Sequence, residues 1–278
     1  MTWSAPASAD GGGAADMMRR PRTARLKSTE EVEKIRRAGR VVYAVLRRVA
    51  EMAAPGVSTA ELNAVAEAMI REAGAEALFK GVQTRQTAFP FPAALCTSVN
   101  DVVVHGIPSE RTLQSGDVVS VDCGVRLDGY CGDSATTLSI GTVAPEVRRL
   151  LEVTEEALRI AVEGMRPRRW WSEIAGAMQA HVEAAGFSVV REFVGHGIGR
   201  EMHEEPKIPN YVDRRQDFML QAGMVLAVEP MVNMGSAGVQ YADGTHWPVV
   251  TADGRYAAHF EHTIAVTDAG ADVLTDGR

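Results

Sequence analysis

Cysteine is scarce in this 278-residue chain: Cys96, Cys123 and Cys131 are the only three. They form no CxxC pair and no thiolate zinc spacing. An odd count gives no disulfide framework, so the pattern fits a reducing compartment. Long apolar runs are missing as well, and nothing approaches the roughly 20 residues of a membrane span. The opening residues lack the apolar core of a secretory signal. Positive charge is in deficit: the net charge of −7 argues against general DNA binding. Several catalytic signatures are absent too. There is no HExxH and no GxSxG, and "GHGIG" fails as a dinucleotide fingerprint because Arg200 takes the place of its last glycine. These absences predict a cytoplasmic protein that neither spans a membrane nor binds DNA. What is present is an ordinary globular composition, 46% hydrophobic and 23% charged, enough for one large domain or two modest ones.

Residues 1–22 read as a disordered tail. "MTWSAPASADGGGAAD" is small, polar and unable to build a core. A basic cluster follows, Arg19, Arg20, Arg22, Arg25 and Lys27. It is either a solvated tail or a tether to an anionic surface such as ribosomal RNA. The ordered part is expected over 23–278. Ser28 with Glu31, and Ser58 with Glu61, fit capping boxes that open two helices. The first carries Ile35, Ala38, Val42, Val45, Leu46 and Val49 at helical spacing, and the second Leu62, Val65, Ala66 and Met69. Later, Leu150, Leu151, Thr154, Leu158 and Ala161 predict a helix ending before Pro167, and Ser172 through His181 another, stopped by Gly186. A shift of 112 residues superimposes Pro55 on Pro167, Glu61 on Glu173, Leu62 on Ile174 and Gly74 on Gly186. That suggests an internal duplication, with halves at about 28–140 and 143–266. Strands follow each helix pair, near 101–105, 117–125 and 130–140, then 188–194, 224–233, 238–250 and 256–266. Asp253-Gly254 reads as a second hairpin turn. Runs of strands after runs of helices predict an α+β fold with mainly antiparallel sheet covered by helices.

The chemistry concentrates where strand patterning expects apolar residues. In "VDCGVRLDGYCGDSATT", Asp128-Gly129 suits a two-residue type I′ turn. Leu127 then pairs with Tyr130, Gly124 with Asp133, and Asp122 with Ala135. Asp122 and Asp133 fall on one face as diagonal neighbours, roughly 5–8 Å apart. Either that pair faces water or a cation sits between the two. "VGHGIGREMHEEP" holds His196 and His203, seven residues apart; "MVLAVEPMV" holds Glu229, and "AHFEHTIAV" holds Glu261. Buried carboxylates are costly alone, so several on separate strands favour a site. Four carboxylates with one imidazole, Asp122, Asp133, Glu229, Glu261 and His196, suit two divalent cations such as Mn²⁺, Fe²⁺, Co²⁺ or Zn²⁺.

Residues 26–278 resemble a type I methionine aminopeptidase. The likeness rests on "NDVVVHGIP", "VDCGVRLDGYCGD", "REFVGHGIGREMHEEP", "AVEPMV" and "HFEHT", in that order. It implies a pita-bread fold, two related αβ halves around a curved central antiparallel sheet, and a centre of two divalent ions (Co, Mn, Fe, Zn or Ni). By position it implies Asp133 and Glu261 as bridging ligands, Asp122 on one ion, and His196 with Glu229 on the other. His105 would contact the scissile amide or leaving amine, His203 the substrate carbonyl, and Glu229 would shuttle the proton. Phe91, Cys96, Met202 and Trp247 would line a methionine pocket, although their types alone also suit plain core packing. The implied activity is removal of the N-terminal methionine from nascent polypeptides by a monomeric enzyme, with a small second residue preferred.

The chain departs from that pattern in places. Ala88 stands where an aromatic is usual, Gly124 where Thr is common, and "RRWW" follows Pro167 in place of glycine. Trp170 and Trp171 are either core anchors or an exposed patch. "YADGTHWP" is one residue longer than usual, which loosens the assignment of Trp247. Among rivals, a proline-directed peptidase usually carries a large N-terminal domain. A type II enzyme carries an insertion for which the 25 residues between His203 and Glu229 leave no room. All five ligands and both histidines are present, which argues against a catalytically dead binding protein, and a purely structural protein would not need these seven polar residues.

Overall fold

The structure, a computed structural model, describes residues 24–278. The expected tail and the arginines at 19, 20 and 22 lie outside the described residues. Helix α1 (Thr29–Met52) begins at the predicted box: Ser28 Oγ accepts the Glu31 N–H, and the Glu31 carboxylate accepts the Ser28 N–H. Ser58 and Glu61 repeat the arrangement ahead of α2 (Thr59–Glu72). Such a box satisfies two backbone donors that the first helical turn otherwise leaves open. The predicted stripe of α1 is buried from Ile35 to Val49. On α2, Leu62, Ala66 and Ile70 are buried, whereas Val65 and Met69 are half-buried.

The second pair starts differently. Helix α3 (Pro145–Gly164) opens on a proline, whose missing N–H costs nothing in a first turn. Helix α4 (Trp171–Ala184) has no cap of its own. Asp217, from a loop 45 positions on, accepts both the N–H and the hydroxyl of Ser172 at 2.9 and 2.6 Å. The tryptophan pair divides its roles. Trp171 is buried, stacks on Phe218 and donates its indole N–H to Pro209 O at 2.8 Å; Trp170 is 45% exposed. Lys27 leaves the predicted basic cluster, because its side chain is buried against Glu204 at 2.8 Å.

The central sheet has nine strands, all pairings antiparallel. Its path runs Glu76–Ala77, Val118–Leu127, Tyr130–Ser139, Glu261–Thr267, Val225–Val228, Gly195–Gly197, Glu204–Ile208. Leu95–Val99 joins at Val118–Leu127, and Gly270–Val273 at Glu261–Thr267. Leu95–Val99, Glu204–Ile208 and Gly270–Val273 are strands beyond those expected. The Asp128-Gly129 hairpin has the expected register, with both turn residues at positive φ, 50° and 77°. The Asp253-Gly254 expectation is corrected. A turn is there, with Gly254 at φ 71°, yet Val249–Thr251 and Ala257–His259 do not pair and belong to separate three-stranded sheets.

The predicted strand 224–233 is also two strands. Pro230 has no N–H to give a ladder, and the chain leaves the central sheet at Glu229-Pro230 to pair as Met231–Asn233 with Ala257–His259. Phe260 makes the matching break in the neighbouring strand, its N–H donating to Pro230 O at 3.3 Å. Helices α1 and α2 bury their apolar faces on Leu95–Val99 and Val118–Leu127, and α3 and α4 on the later strands. A third apolar cluster, with Phe79, Phe91, Cys96, Met202 and Trp247, lies at the junction.

Candidate metal centre

Asp122 and Asp133 project from one face of the hairpin, with their carboxyls close enough to interact. Asp133 is pinned from behind: Thr263 Oγ1 accepts its N–H at 3.1 Å and donates to its carbonyl at 2.8 Å. Glu261 opens its strand opposite Ala135, one pair from Asp133's neighbour Ser134. Glu229 and Glu261 therefore sit at the corner where two strands change sheets together. His196 lies on Gly195–Gly197, opposite Ala227. Its Nδ1 faces Gly197 O at 3.0 Å, which leaves Nε2 for the carboxylates, 3.5 Å from Glu229 Oε1 and 3.9 Å from Asp133 Oδ2.

Ligand atoms of Asp133, His196 and Glu261 lie within 4.8 Å of one another. Asp122 joins them through Asp133, and Glu229 through His196. All five predicted ligands thus meet in one place. Burial pushes the carboxyl of Asp122 up to about 7. It raises Asp133, Glu229 and Glu261 well above the carboxylate range, and the neighbouring acids add to the effect. Burial lowers His196 to about 3, so its imidazole is neutral, the form that binds a metal. Asp122 Oδ1, Asp133 Oδ1 and Glu261 Oε1 are buried with no hydrogen-bond partner among the described residues. Unpartnered buried carboxyl oxygens are expensive. Oxygen donors converging with a neutral imidazole fit hard divalent cations well.

His105 and His203 stand around this centre. His105 has φ 60° and packs edge-on to Phe193 and Trp247, with ring centroids at 5.5 and 6.4 Å. Burial holds it neutral, and the nearness of His259 and His203 adds to that. His203 lies at the exposed lip with its ring 4.3 Å from that of His196, and desolvation lowers it to about 4.

The predicted pocket residues are all buried and share one apolar cluster. Phe91 meets Trp247 edge to face at 5.1 Å, and the Trp247 indole donates to Phe89 O. Cys96 pairs in register with Asp122, so the apolar cluster adjoins the acids directly. Gly124 has a steric reason. A Cβ there would come within 2.9 Å of Phe79 Cε1, 3.2 Å of Met202 Cε and 3.3 Å of Asp133 Oδ1. At the other departure, Ala88 donates its N–H to Thr245 O, tying the loop over Phe91 to the long segment before Trp247.

Two contributors escaped the sequence analysis. His259 is buried and neutral, its pKa lowered to about 3, with Nε2 3.9 Å from Glu229 Oε2. Its signal was its place in "HFEHT", a second ionisable residue in an apolar strand. Asn210 donates to Glu229 O at 3.0 Å and fixes the corner from the far side.

Residues 33–268 match metallopeptidase family M24. The chain is 46% identical to methionine aminopeptidase 1 of Bacillus subtilis over 250 residues, 90% of this chain and 98% of that protein. It is 42% identical to methionine aminopeptidase 1 of Mycobacterium tuberculosis over 258 residues, 90% and 94% of the two chains. The crystal structure of methionine aminopeptidase from Rickettsia prowazekii superimposes with a TM-score of 0.86 at 35% identity, covering 91% of this chain and all of that one. A prolidase from Pyrococcus furiosus shares the fold at a TM-score of 0.71 and 24% identity, over 90% of this chain and 65% of its own.

Proposed function

The chain belongs to metallopeptidase family M24 and is a metal-dependent exopeptidase that removes N-terminal methionine from polypeptides, and we propose that it does so with Asp122, Asp133, His196, Glu229 and Glu261 holding two divalent ions. The observation that carries this reading is the nest of carboxyls raised by burial, three with unpartnered oxygens, around one neutral imidazole.

When bound, divalent cations would acidify water and polarise a carbonyl at this site. The protein's own groups do the rest. Glu229 accepts a proton at its carboxylate and returns it towards the leaving amine. His203, neutral at working pH, donates a hydrogen bond to the scissile carbonyl oxygen as charge grows there. His105 contacts the amide nitrogen side. Asp122 receives the free α-amine, which restricts cleavage to the chain end. Phe91, Cys96, Met202 and Trp247 enclose the methionine side chain, and because they adjoin Asp122 the first residue alone reaches the acids. A narrow entrance beyond them favours a small second residue.

The described residues act as one catalytic domain made of two related halves. The two helix pairs end alike, which supports that reading. Ala73 and Ala185 cap α2 and α4 in nearly the same conformation, and Gly74 and Gly186 follow at φ 68° and 86°. The protein is a monomer in this reading, and its ribosome contact falls to Arg19, Arg20 and Arg22. No helix of the described residues is long and apolar enough to cross a membrane.

The test is release of free methionine from Met-Ala and Met-Leu peptides by chelated protein, with Mn²⁺, Co²⁺, Fe²⁺ and Zn²⁺ restored singly. Metal-dependent release, from Met-Ala above Met-Leu and not from an N-acetylated peptide, is expected. Cleavage of an Xaa-Pro peptide in its place would overturn the pocket assignment.

A further inference from the structure

His203 sits on a short loop, residues 198–203, ahead of the strand Glu204–Ile208. The Cys131 N–H donates to Gly199 O at 2.7 Å and ties the near end of that loop to the hairpin; its far end is held from the opposite end of the chain. Lys27 precedes the cap of α1, and its side chain is only 3% exposed. Its Nζ lies 2.8 Å from Glu204 Oε2. The other oxygen of Glu204 accepts the backbone N–H groups of Arg200 at 2.9 Å and Glu201 at 3.3 Å, so one carboxylate gathers the loop and anchors it. Lys27 is itself fixed, since its N–H donates to Gly223 O at 2.7 Å, and Gly223 in turn donates to Val266 O in the central sheet.

The fit is close. A Cβ on Gly199 would lie 2.6 Å from Glu204 Oε1 and 2.7 Å from Lys27 Cε. The loop backbone therefore packs directly against the pair. Two weaker ties act from outside: the Arg200 guanidinium lies over the Tyr130 ring at 4.6 Å, and Arg126 reaches Glu201 at 3.7 Å. Neither reaches the residue next to His203. The Lys27–Glu204 pair does, because Glu204 is its immediate neighbour. A buried pair with every loop partner satisfied specifies geometry rather than adding much stability.

We propose that Lys27 is a positioning residue, which through Glu204 fixes the loop that aims His203 at the substrate carbonyl. This rests on the role given to His203 above. Four of the five ligands lie on other segments, and His196 adjoins Gly197, which pairs with Glu204, so Mn²⁺ affinity is read beside kcat to separate the aim of His203 from a shift of His196.

A double-mutant cycle tests the proposal. kcat and KM on a Met-Ala peptide, Mn²⁺ affinity and Tm are measured for the wild type, Lys27→Met, His203→Ala and the double variant. Lys27→Met is expected to lower kcat about 10- to 100-fold, as loss of an outer support typically does, with KM and Mn²⁺ affinity little changed. In the His203→Ala background the same substitution should cost nothing further. Glu204→Gln, which keeps the acceptor for both loop N–H groups while removing the ion pair, runs the same cycle should Lys27→Met fold poorly. Equal losses in both backgrounds would overturn the proposal and leave the role of His203 standing, as would a fall in Tm without a fall in kcat. Full activity in His203→Ala alone would sink that role and the proposal together.

Discussion

A metal-free copy of this protein carries carboxyls that resist ionisation, and that has a consequence for pH. In an unfolded chain these groups titrate near pH 4. In the fold, burial raises Asp122 to about 7 and Asp133, Glu229 and Glu261 further. Their contribution to stability is therefore whole below about pH 4 and is lost as the pH rises through the folded values. The lowered histidines, His196, His203 and His259, act the other way. Theirs is whole above about 6.5 and is lost as the pH falls towards their folded values of about 3 to 4. Between pH 6.5 and 8 the carboxyls dominate. Tm of the chelated protein should drop across that range, and added Mn²⁺ should raise Tm more at pH 8 than at pH 6.5, because binding displaces protons. A flat Tm in the chelated protein would contradict the account. Glu229→Gln should cut kcat by about 10²- to 10⁴-fold, the usual worth of a general acid–base group, with Tm of the chelated protein unchanged or higher. At this scale the sequence was most informative about the acids, because a carboxylate in an apolar strand breaks its own pattern. It was least informative about the pocket, since Phe91 and Trp247 look like any core residue until their neighbours are known. His259 was hidden for a related reason: it is neutral in the fold and follows its strand's burial.

Among the elements, α1 is the one most tightly fitted to the sheet. Gly39 and Gly132 allow the contact: a Cβ on Gly132 would meet the Gly39 backbone N at 2.7 Å, and one on Gly39 would meet Leu274 O at 2.1 Å. Backbone cannot give way as a side-chain tip can. Gly132→Ala should therefore destabilise by about 3 kcal/mol, at the upper end of what one substitution usually costs. Thermal melts would read it as a fall of several degrees. Ser58→Ala, which removes a cap, should cost about 1 kcal/mol. Capping boxes and the Asp128-Gly129 turn were legible because each is written in consecutive residues. Asp217 over α4 was not, because its partner Ser172 lies 45 positions away. The corner at Glu229-Pro230 was partly legible, since proline breaks a ladder. Phe260 was not, because an aromatic residue suits an unbroken strand equally well. Strands of two or three residues, such as Gly195–Gly197, are too short to show alternation.

Over the whole molecule, the described contacts to the site from the N-terminal side begin at Lys27. A chain shortened to start at Ala24 should keep its kcat and KM on peptides. One shortened past Ser28 loses both the anchor of Glu204 and the cap of α1, and should lose kcat and Tm together, as steady-state assays and melts on the two truncations would show. The strand Glu261–Thr267 has a larger part. It pairs with Tyr130–Ser139 on one side and Val225–Val228 on the other, and it brings Glu261 between them. A strand of the second half thus supplies the piece that joins Asp122 and Asp133 to His196 and Glu229. A fragment that stops before Glu261 leaves the two hairpin acids without the strand that carries them to His196 and Glu229, and the site can close only once that strand has docked.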